Sequence, residues 1–425
     1  MNEEPVRTNP SRFQRREAGL VGALRSGVLS RLEPLAQGSL TLEEPGGALH
    51  FGTAGSGLDC HVVLHDPAAF YRALALRGSI GAAESYMRGE WDSPDLTCVI
   101  RLLVRNRSLL DSMEKGLARL SAPLLKLYHR LRPNTHGGAR SNIAAHYDLG
   151  NEFFALFLDS NLMYSSAVFE HEGMSLEQAS QAKLVRICNK LQLAPEHHVL
   201  EIGSGWGGFA LHAARTHGCR VTTTTLSEEQ HRLASKRIRD AGLEGQVTVL
   251  LQDYRDLRGE FDRLVSIEMI EAVGHRFYPA FFHACHERLK PDGLMLLQAI
   301  TIEECRYARA LREVDFIQRY IFPGCCIPSV HALMNAVARA SDLRLVHLED
   351  IGLHYAETMR HWRERFRERL EGVRRLGYPE TFIRMWEFYL CYCEGGFRER
   401  SISDVQMLFA RPGWTGRPPL LNVGS

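Results

Sequence analysis

From residue 178 onward the apolar positions keep a regular rhythm, in which short runs such as His198-Val-Leu-Glu-Ile and Val247-Thr-Val-Leu-Leu alternate with stretches repeating every three or four residues. The pattern predicts helix 178–192, strand 198–202, helix 206–216, strand 219–225, helix 228–241, strand 246–251, strand 262–268, helix 276–289 and strand 293–301. Such alternation builds a parallel sheet wound with helices on both faces, an α/β fold. An irregular insertion over 303–342 follows, then a strand 343–350, two helices within 357–396 and a last strand near 404–410.

The first third of the chain has a different period. Residues 12–32 read as a helix, and residues 38–65 alternate in short runs between glycine-rich turns such as Pro45-Gly-Gly, which are hairpin signals. Residues 66–110 read as helices, so a small α+β module spans about residues 30–110. Residues 101–132 carry eight Lys or Arg against Asp111 and Glu114, interleaved with leucines. That stretch suits either an interfacial helix on anionic lipid or a linker helix packed on its own protein. The run Arg132-Pro-Asn-Thr-His-Gly-Gly-Ala-Arg-Ser is a break, which divides the chain into an accessory domain, 1–135, and a larger one, 136–425. A second basic segment, 359–375, holds seven Arg and three Glu and reads as a solvated helix face, with a phospholipid headgroup contact as the sharper alternative.

Composition narrows the partners. A net charge of +1 gives no general attraction to nucleic acid, so any attraction to lipid must be local. Ten cysteines include no Cys-x-x-Cys, which argues against a zinc site and for reduced, cytosolic thiols. The first 30 residues do not read as a signal peptide, and no apolar run reaches the ~18 residues of a membrane helix. Contact with lipid is therefore expected from the surface, as a cytoplasmic, peripherally associated protein, with a homodimer left open.

The candidate chemistry centres on Val199-Leu-Glu-Ile-Gly-Ser-Gly-Trp-Gly-Gly-Phe, where a strand runs into glycines and then a helix. Gly203 and Gly205 let the backbone turn tightly and approach a ligand, and the helix N-terminus offers free N–H groups. Glycine spacing alone fits a ligand-free turn or a dinucleotide fingerprint too. The latter wants an acid at the end of the next strand, where Arg220-Val-Thr-Thr-Thr-Thr-Leu offers hydroxyls. Glu201, two residues before the first glycine, instead resembles the first motif of class I S-adenosylmethionine methyltransferases.

Several further segments, over about residues 140–411, together resemble the cyclopropane-fatty-acyl-phospholipid synthase family, which includes the mycolic acid cyclopropane synthases. They are His146-Tyr-Asp-Leu-Gly-Asn-Glu-Phe-Phe, Met163-Tyr-Ser-Ser-Ala-Val-Phe, Leu226-Ser-Glu-Glu-Gln, Gln252-Asp-Tyr-Arg-Asp, Ser266-Ile-Glu-Met-Ile-Glu-Ala-Val-Gly-His, Phe316-Ile-Gln-Arg-Tyr-Ile-Phe-Pro-Gly and His354-Tyr-Ala-Glu-Thr. The resemblance implies a Rossmann-like, doubly wound, seven-stranded sheet and a small N-terminal domain. It implies an S-adenosylmethionine site from Tyr164, Ser165, Glu201, Gly203, Gly205, Gly207, Thr225, Leu226, Gln230, Asp253, Tyr254 and Arg255. The substrate it implies is the cis double bond of an unsaturated phospholipid acyl chain, turned into a cyclopropane through a carbocation.

In the family a bound bicarbonate removes the proton. Carried onto this chain, its holders are Glu271, Tyr355, the backbone at Ser166, where cysteine is frequent, Ile300 through its N–H, and Gln298 where the family has histidine. A glutamine donates to an anion but does not titrate near neutral pH. Members with the segment Gln-Ala-Ile-Thr resemble those making methylene- or methyl-branched chains, so that product stands as the alternative. A small-molecule N-methyltransferase and a non-catalytic lipid-binding protein complete the rivals. Cys393 reads as an inert buried thiol. The aromatic helix Phe382 to Phe397 reads as core or as the wall of an acyl tunnel.

Overall fold

The computed structural model describes residues 12–55, 57–109, 111 and 149–417. The expected domain break at 132–141, most of the basic stretch 101–132 and the His146-Tyr-Asp segment lie outside the described residues. Two compact units are present, one of Met1–Leu124 with Glu380–Phe388, the other of Leu125–Pro379 with Tyr389–Ser425. Among the described residues no helix is long and apolar enough to cross a membrane.

The first unit holds α1 (Arg12–Leu32), β1 (Ser39–Glu44), β2 (Gly47–Gly52), β3 (Asp59–Leu64), α2 (Pro67–Met87), β4 (Trp91–Asp92) and α3 (Leu96–Arg105). Its sheet order is β2-β1-β3-β4. The hairpin expected around Pro45-Gly-Gly is β1 with β2, but β3 runs parallel to β1, so the second connection is a crossover. Leu40, Leu42, Cys60, Val62 and Leu64, alternating along two strands, point into its core. Cys60 and Cys98 are joined in a disulfide between β3 and α3, which corrects the expectation of reduced thiols for this pair. The other eight cysteines are free, and of them only Cys305 is exposed.

The second unit follows with α4 (Asn151–Ala155), α5 (Leu176–Leu191), β5 (His198–Ile202), α6 (Gly208–His217), β6 (Arg220–Thr225), α7 (Glu228–Asp240), β7 (Val247–Leu251), β8 (Phe261–Ile267), α8 (Ile270–Val273), α9 (Tyr278–Arg288) and β9 (Leu289–Ile302). Then come α10 (Glu304–Ala310), α11 (Val330–Ala340), β10 (Arg344–Asp350), α12 (Gly352–Glu368), α13 (Leu370–Arg375), α14 (Glu380–Arg398), which belongs to both units, and β11 (Ile402–Ala410). The seven strands lie in the order β10-β11-β9-β8-β5-β6-β7. All neighbours are parallel except β11, which is antiparallel to both β10 and β9. This is the doubly wound sheet the rhythm predicts.

The sheet is buried on both sides because its central strands carry apolar residues on both faces, with polar residues such as Glu201, Gln298, Asp404 and Gln406 among them. Leu200, Ile202, Leu264, Met295, Leu297 and Met407 pack on one face, and Val199, Val221, Val265, Leu294, Leu296 and Leu408 on the other. Caps fix where the helices begin: Ser175 and Gln178 form a reciprocal capping box on α5, and Ser227 accepts from Gln230 N at the start of α7.

The insertion expected to be irregular is structured. Its α11 is capped by Ser329 and buries Leu333, Ala336 and Val337 at helical spacing, a signal present in the sequence; ahead of it Ile317–Ile321 form a single wide turn. In the basic segment of α12, Arg360 pairs with Glu357 and Glu364, Arg363 with Glu394 and Arg365 with Glu177. These arginines bind their own protein's acids; the Arg360 pairs are part-exposed, as on a solvated face, whereas the Arg363–Glu394 pair is largely buried, which the expectation of a solvated face did not cover.

Candidate functional site

A cleft of about 1140 Å³ opens at the carboxyl ends of β5, β6 and β8, the usual ligand position in an open α/β sheet. Between β5 and α6, Gly203 and Gly205 have φ of +98° and +48°. A Cβ at Gly203 would come within 3.2 Å of Met269, so the turn needs glycine for space as well as for conformation. Gly207, also at positive φ, does not line the cleft; it starts α6, and Gly208 lines the cleft beside it.

Eleven of the twelve residues expected for the cofactor line this one cleft: Tyr164, Ser165, Glu201, Gly203, Gly205, Thr225, Leu226, Gln230, Asp253, Tyr254 and Arg255. Glu201 is buried and its Oε2 has no hydrogen-bond partner; burial pushes its carboxyl up to about 8. A buried acceptor left open on the wall of a cleft fits a hydroxyl donor such as a ribose. Thr225 Oγ1 donates to Gln230 Oε1 at 2.8 Å, which turns the Gln230 amide N–H₂ away from Thr225. Asp253 holds Arg255 through two contacts of 2.8 and 2.6 Å, and the guanidinium sits 5.5 Å from the Tyr254 ring centre. These groups, with the glycine turn, match the polar and aromatic needs of S-adenosylmethionine.

Beyond the turn the residues expected to hold an anion are assembled differently. Glu268, at the end of β8, lines the cleft and occupies their centre. Its Oε1 accepts from the Ser166 N–H at 2.8 Å and from Gln298 Nε2 at 2.7 Å, and its Oε2 accepts from the Tyr355 hydroxyl at 2.6 Å. Glu271 instead accepts from the Ile300 N–H at 2.5 Å, and its second oxygen is buried without a partner. Glu271 and Tyr355 therefore do not share one anion, as the resemblance led us to expect; Tyr355 belongs to Glu268. The physical reason is the backbone at Glu268, held at φ +49° with its N–H on the Gln298 carbonyl at 2.8 Å, which swings this side chain into the cradle.

The bicarbonate expected from the resemblance does not fit here. Four of its five donors and holders are already bonded to a carboxyl group, Tyr355, Ser166 and Gln298 to Glu268 and Ile300 to Glu271. A second anion would lie against Glu268 with Glu271 close by, and like charges in a buried site disfavour each other strongly.

Three carboxyls share this buried region. Burial raises all of them, Glu271 to about 8 with the charge of Glu268 adding to it, and Asp404 well above the usual range with Glu268 again second. Burial also raises Glu268, opposed by the Tyr355 hydroxyl, the nearby Lys183 and the Ser166 N–H. Glu268 has three donors where Glu271 has one, so of the two it is the better placed to carry a negative charge. Lys183 is fully buried on α5 and donates to Ser165 Oγ at 2.5 Å.

Glu268, Lys183 and Asp404 were missed in the sequence. Glu268 stands inside the quoted motif, three residues before the acid that was chosen. Lys183 and Lys190 lie four before and three after Ile187, in line with the apolar stripe of α5, which is a readable sign of a buried lysine. Aromatic rings pack around the same region: Tyr164 stacks on Trp362 at 5.3 Å and bonds the Tyr389 hydroxyl at 2.9 Å, and Tyr355 stacks on Phe397 at 4.4 Å. Cys393 is buried, and burial pushes its thiol up. Cys188, His212 and His217 bring one potential metal ligand each within 4.8 Å of one another, but none lines the cleft and burial keeps the Cys188 thiol protonated.

Residues 135–407 match the family model described as mycolic acid cyclopropane synthetase. The tuberculostearic acid methyltransferase UfaA1 of Mycobacterium tuberculosis is 39% identical over 358 residues, 82% of this chain and 83% of that protein. The cyclopropane-fatty-acyl-phospholipid synthase of Escherichia coli is 37% identical over 348 residues, 80% of this chain and 86% of its own. Among solved structures, mycolic acid cyclopropane synthase CmaA1 complexed with SAH and CTAB superimposes with a TM-score of 0.60 at 31% identity, covering 64% of this chain and 98% of the other. Fold, cleft and relatives agree: the chain belongs to the mycolic acid cyclopropane synthetase family and is an S-adenosylmethionine-dependent methyltransferase.

Proposed function

We propose that the enzyme methylates one carbon of a cis double bond in a phospholipid acyl chain, and that Glu268 takes up the proton the product must lose. The observation that carries this is the Glu268 carboxylate in the anion cradle, accepting from Tyr355, Ser166 and Gln298. Bound S-adenosylmethionine supplies an electrophilic methyl group. Glu201, Gln230 and Asp253 hold its polar groups, Gly203 and Gly205 admit its aminoacyl end, and Tyr254 offers a face to its base.

The alkene's π electrons form the new C–C bond as the S–C bond breaks, which leaves a cation on the neighbouring carbon. The ring of Tyr164, which lines the cleft, stabilises such a cation through its π system. A 1,2-hydride shift moves the positive charge to the methylated carbon, and Glu268 then removes a proton from the new methyl to leave a methylene branch, C=CH₂, on the acyl chain. The likeness to UfaA1 and Gln298 in place of histidine favour this branched product. The likeness to the Escherichia coli synthase favours the second reading, in which the methyl loses its proton before any hydride shift and a cyclopropane closes. A substrate embedded in a bilayer requires the enzyme to work at a membrane surface.

The test is incubation with methyl-labelled S-adenosylmethionine and vesicles of an oleoyl phospholipid. Label belongs in the acyl chain, and ozonolysis should cut a methylene product to a ketone while leaving a cyclopropane whole. Removing bicarbonate from the buffer should not change the rate. Label confined to headgroups, or a rate that follows bicarbonate, would overturn the proposal.

A further inference from the structure

Behind Gln298 a line of buried polar groups leaves the site. Gln298 Nε2 donates to Glu268 Oε1 at 2.7 Å and to Asp404 Oδ2 at 2.8 Å. Its Oε1 accepts from Gln406 Nε2 at 3.0 Å, and Gln406 Oε1 accepts from Lys190 Nζ at 2.7 Å. Gln298 and Gln406 are directly opposite in the antiparallel pairing of β9 with β11, and Asp404 sits two residues earlier on the same face of β11. Lys190, Gln298, Gln406 and Asp404 are all fully buried.

The two ends of an amide are nearly the same shape, so packing does not choose which one faces the carboxylates. An ammonium does choose, because it has three donors and no acceptor. With Lys190 at one end, Gln406 must turn its oxygen to the ammonium and its N–H₂ to Gln298. Gln298 must then turn its own N–H₂ to the carboxyls. The reverse order would press the Gln298 carbonyl oxygen against the Glu268 carboxylate. We propose that Lys190 is a remote positioning residue that sets the direction of a two-amide relay, Gln406 then Gln298, and so supplies Glu268 with one of its three donors.

The surroundings support a charged Lys190. Burial lowers it, while Glu349 on β10 accepts its Nζ at 2.5 Å and raises it. Against the pull of burial, Arg186 and Lys190 together bring Glu349 down to about 2. Arg186 and His347 are the other titratable groups beside this lysine. Around Glu268 the facing groups are Tyr355 from α12, Lys183 from α5, Asp404 from β11 and Glu271 from α8. A relay that keeps an N–H on Glu268 favours its ionised form over the protonated one.

The inference rests on Glu268 as the base, and the experiment separates the two. Gln406→Met and Gln406→Glu are made in the full chain and assayed with methyl-labelled S-adenosylmethionine and oleoyl phosphatidylglycerol vesicles. Both should lower kcat by about 10-fold or more, move the acid limb of the kcat profile to higher pH, and leave the KM for S-adenosylmethionine within about 2-fold. Lys190→Met should shift the same limb in the same direction. A limb that moves only with Gln406→Glu would mean through-space charge and overturn the relay, as would loss of thermal stability with kcat and the limb unmoved. A wild-type enzyme that leaves the acyl chain unlabelled sinks the lipid reading alone. The relay is then still read by NMR, since the Gln298 side-chain N–H₂ resonances should lie downfield in wild type and move upfield in Gln406→Met. Unmoved resonances would refute it.

Discussion

Replacing Glu268 with glycine tests the site more sharply than an isosteric change, because it removes the base and leaves its three donors in place. The backbone should welcome the substitution: at φ +49° a non-glycine residue costs about 1–2 kcal/mol, which glycine does not. Against that gain, three buried donors lose their acceptor at about 1–3 kcal/mol each, so folding stability should fall, and an anion that fills the space should restore part of it. The chemistry should suffer, since loss of a positioned general base lowers the rate by about 10²–10⁴, or roughly 3–5 kcal/mol of barrier. What remains is an anion-sized space facing the Tyr355 hydroxyl, the Ser166 N–H and the Gln298 N–H₂, all of which now donate to Glu268. Bicarbonate, formate or acetate should enter it and restore acyl labelling saturably with anion concentration, in degassed buffer and at constant ionic strength. Adding Tyr355→Phe to Glu268→Gly should weaken that rescue. Full activity of Glu268→Gly without any added anion, or no rescue by any small carboxylate, would refute the reasoning.

Glu271→Gln should retain activity within about 10-fold, because a glutamine oxygen still accepts the Ile300 N–H and the base is elsewhere. The same variant carries a pH signature. A carboxyl raised to about 8 in the folded protein holds its proton longer than in the unfolded chain, so stability falls as pH rises from about 4.5 to 8. Glu271→Gln should flatten that fall in thermal melts, and an unchanged slope would rule the group out as its source. Gly203→Ala should weaken S-adenosylmethionine binding by about 10-fold or more in calorimetry, through both the +98° φ and the contact with Met269. Cys60→Ser should destabilise the first unit by about 4 kcal/mol, from the 38-residue separation it closes, and melt it at lower temperature without changing the kinetics of methyl transfer.

The cofactor cleft was legible because its signals are local. A strand, an acid, spaced glycines and a helix start lie within a dozen residues, and the sheet's alternation gives the frame around them. The anion cradle was less so. Glu268 and Glu271 stand three residues apart in one motif, and choosing between them depends on a single left-handed backbone conformation that spacing does not report. Gln298, Asp404 and Gln406 meet through the register of β9 with β11, more than a hundred residues apart in the chain, and one residue of slip would turn every one of them to the other face. Lys183 and Lys190 follow the stripe of α5, but lysine is rarely buried, and composition argues for solvent until a partner is seen. The Cys60–Cys98 pair is separated by a helix and a strand, too far for cysteine spacing to show it.

Strand β11 follows the other six described strands of the sheet in chain order, yet it slots between β9 and β10 rather than at an edge. A ribosome-bound chain that has emerged only through α14 already carries every residue lining the cofactor cleft, but neither Asp404 nor Gln406. Its Gln298 is free to point either way. The part that handles the cation is thus completed after the donor cleft, so a polypeptide halted before β11 should be able to capture the donor while lacking the finished means to spend it.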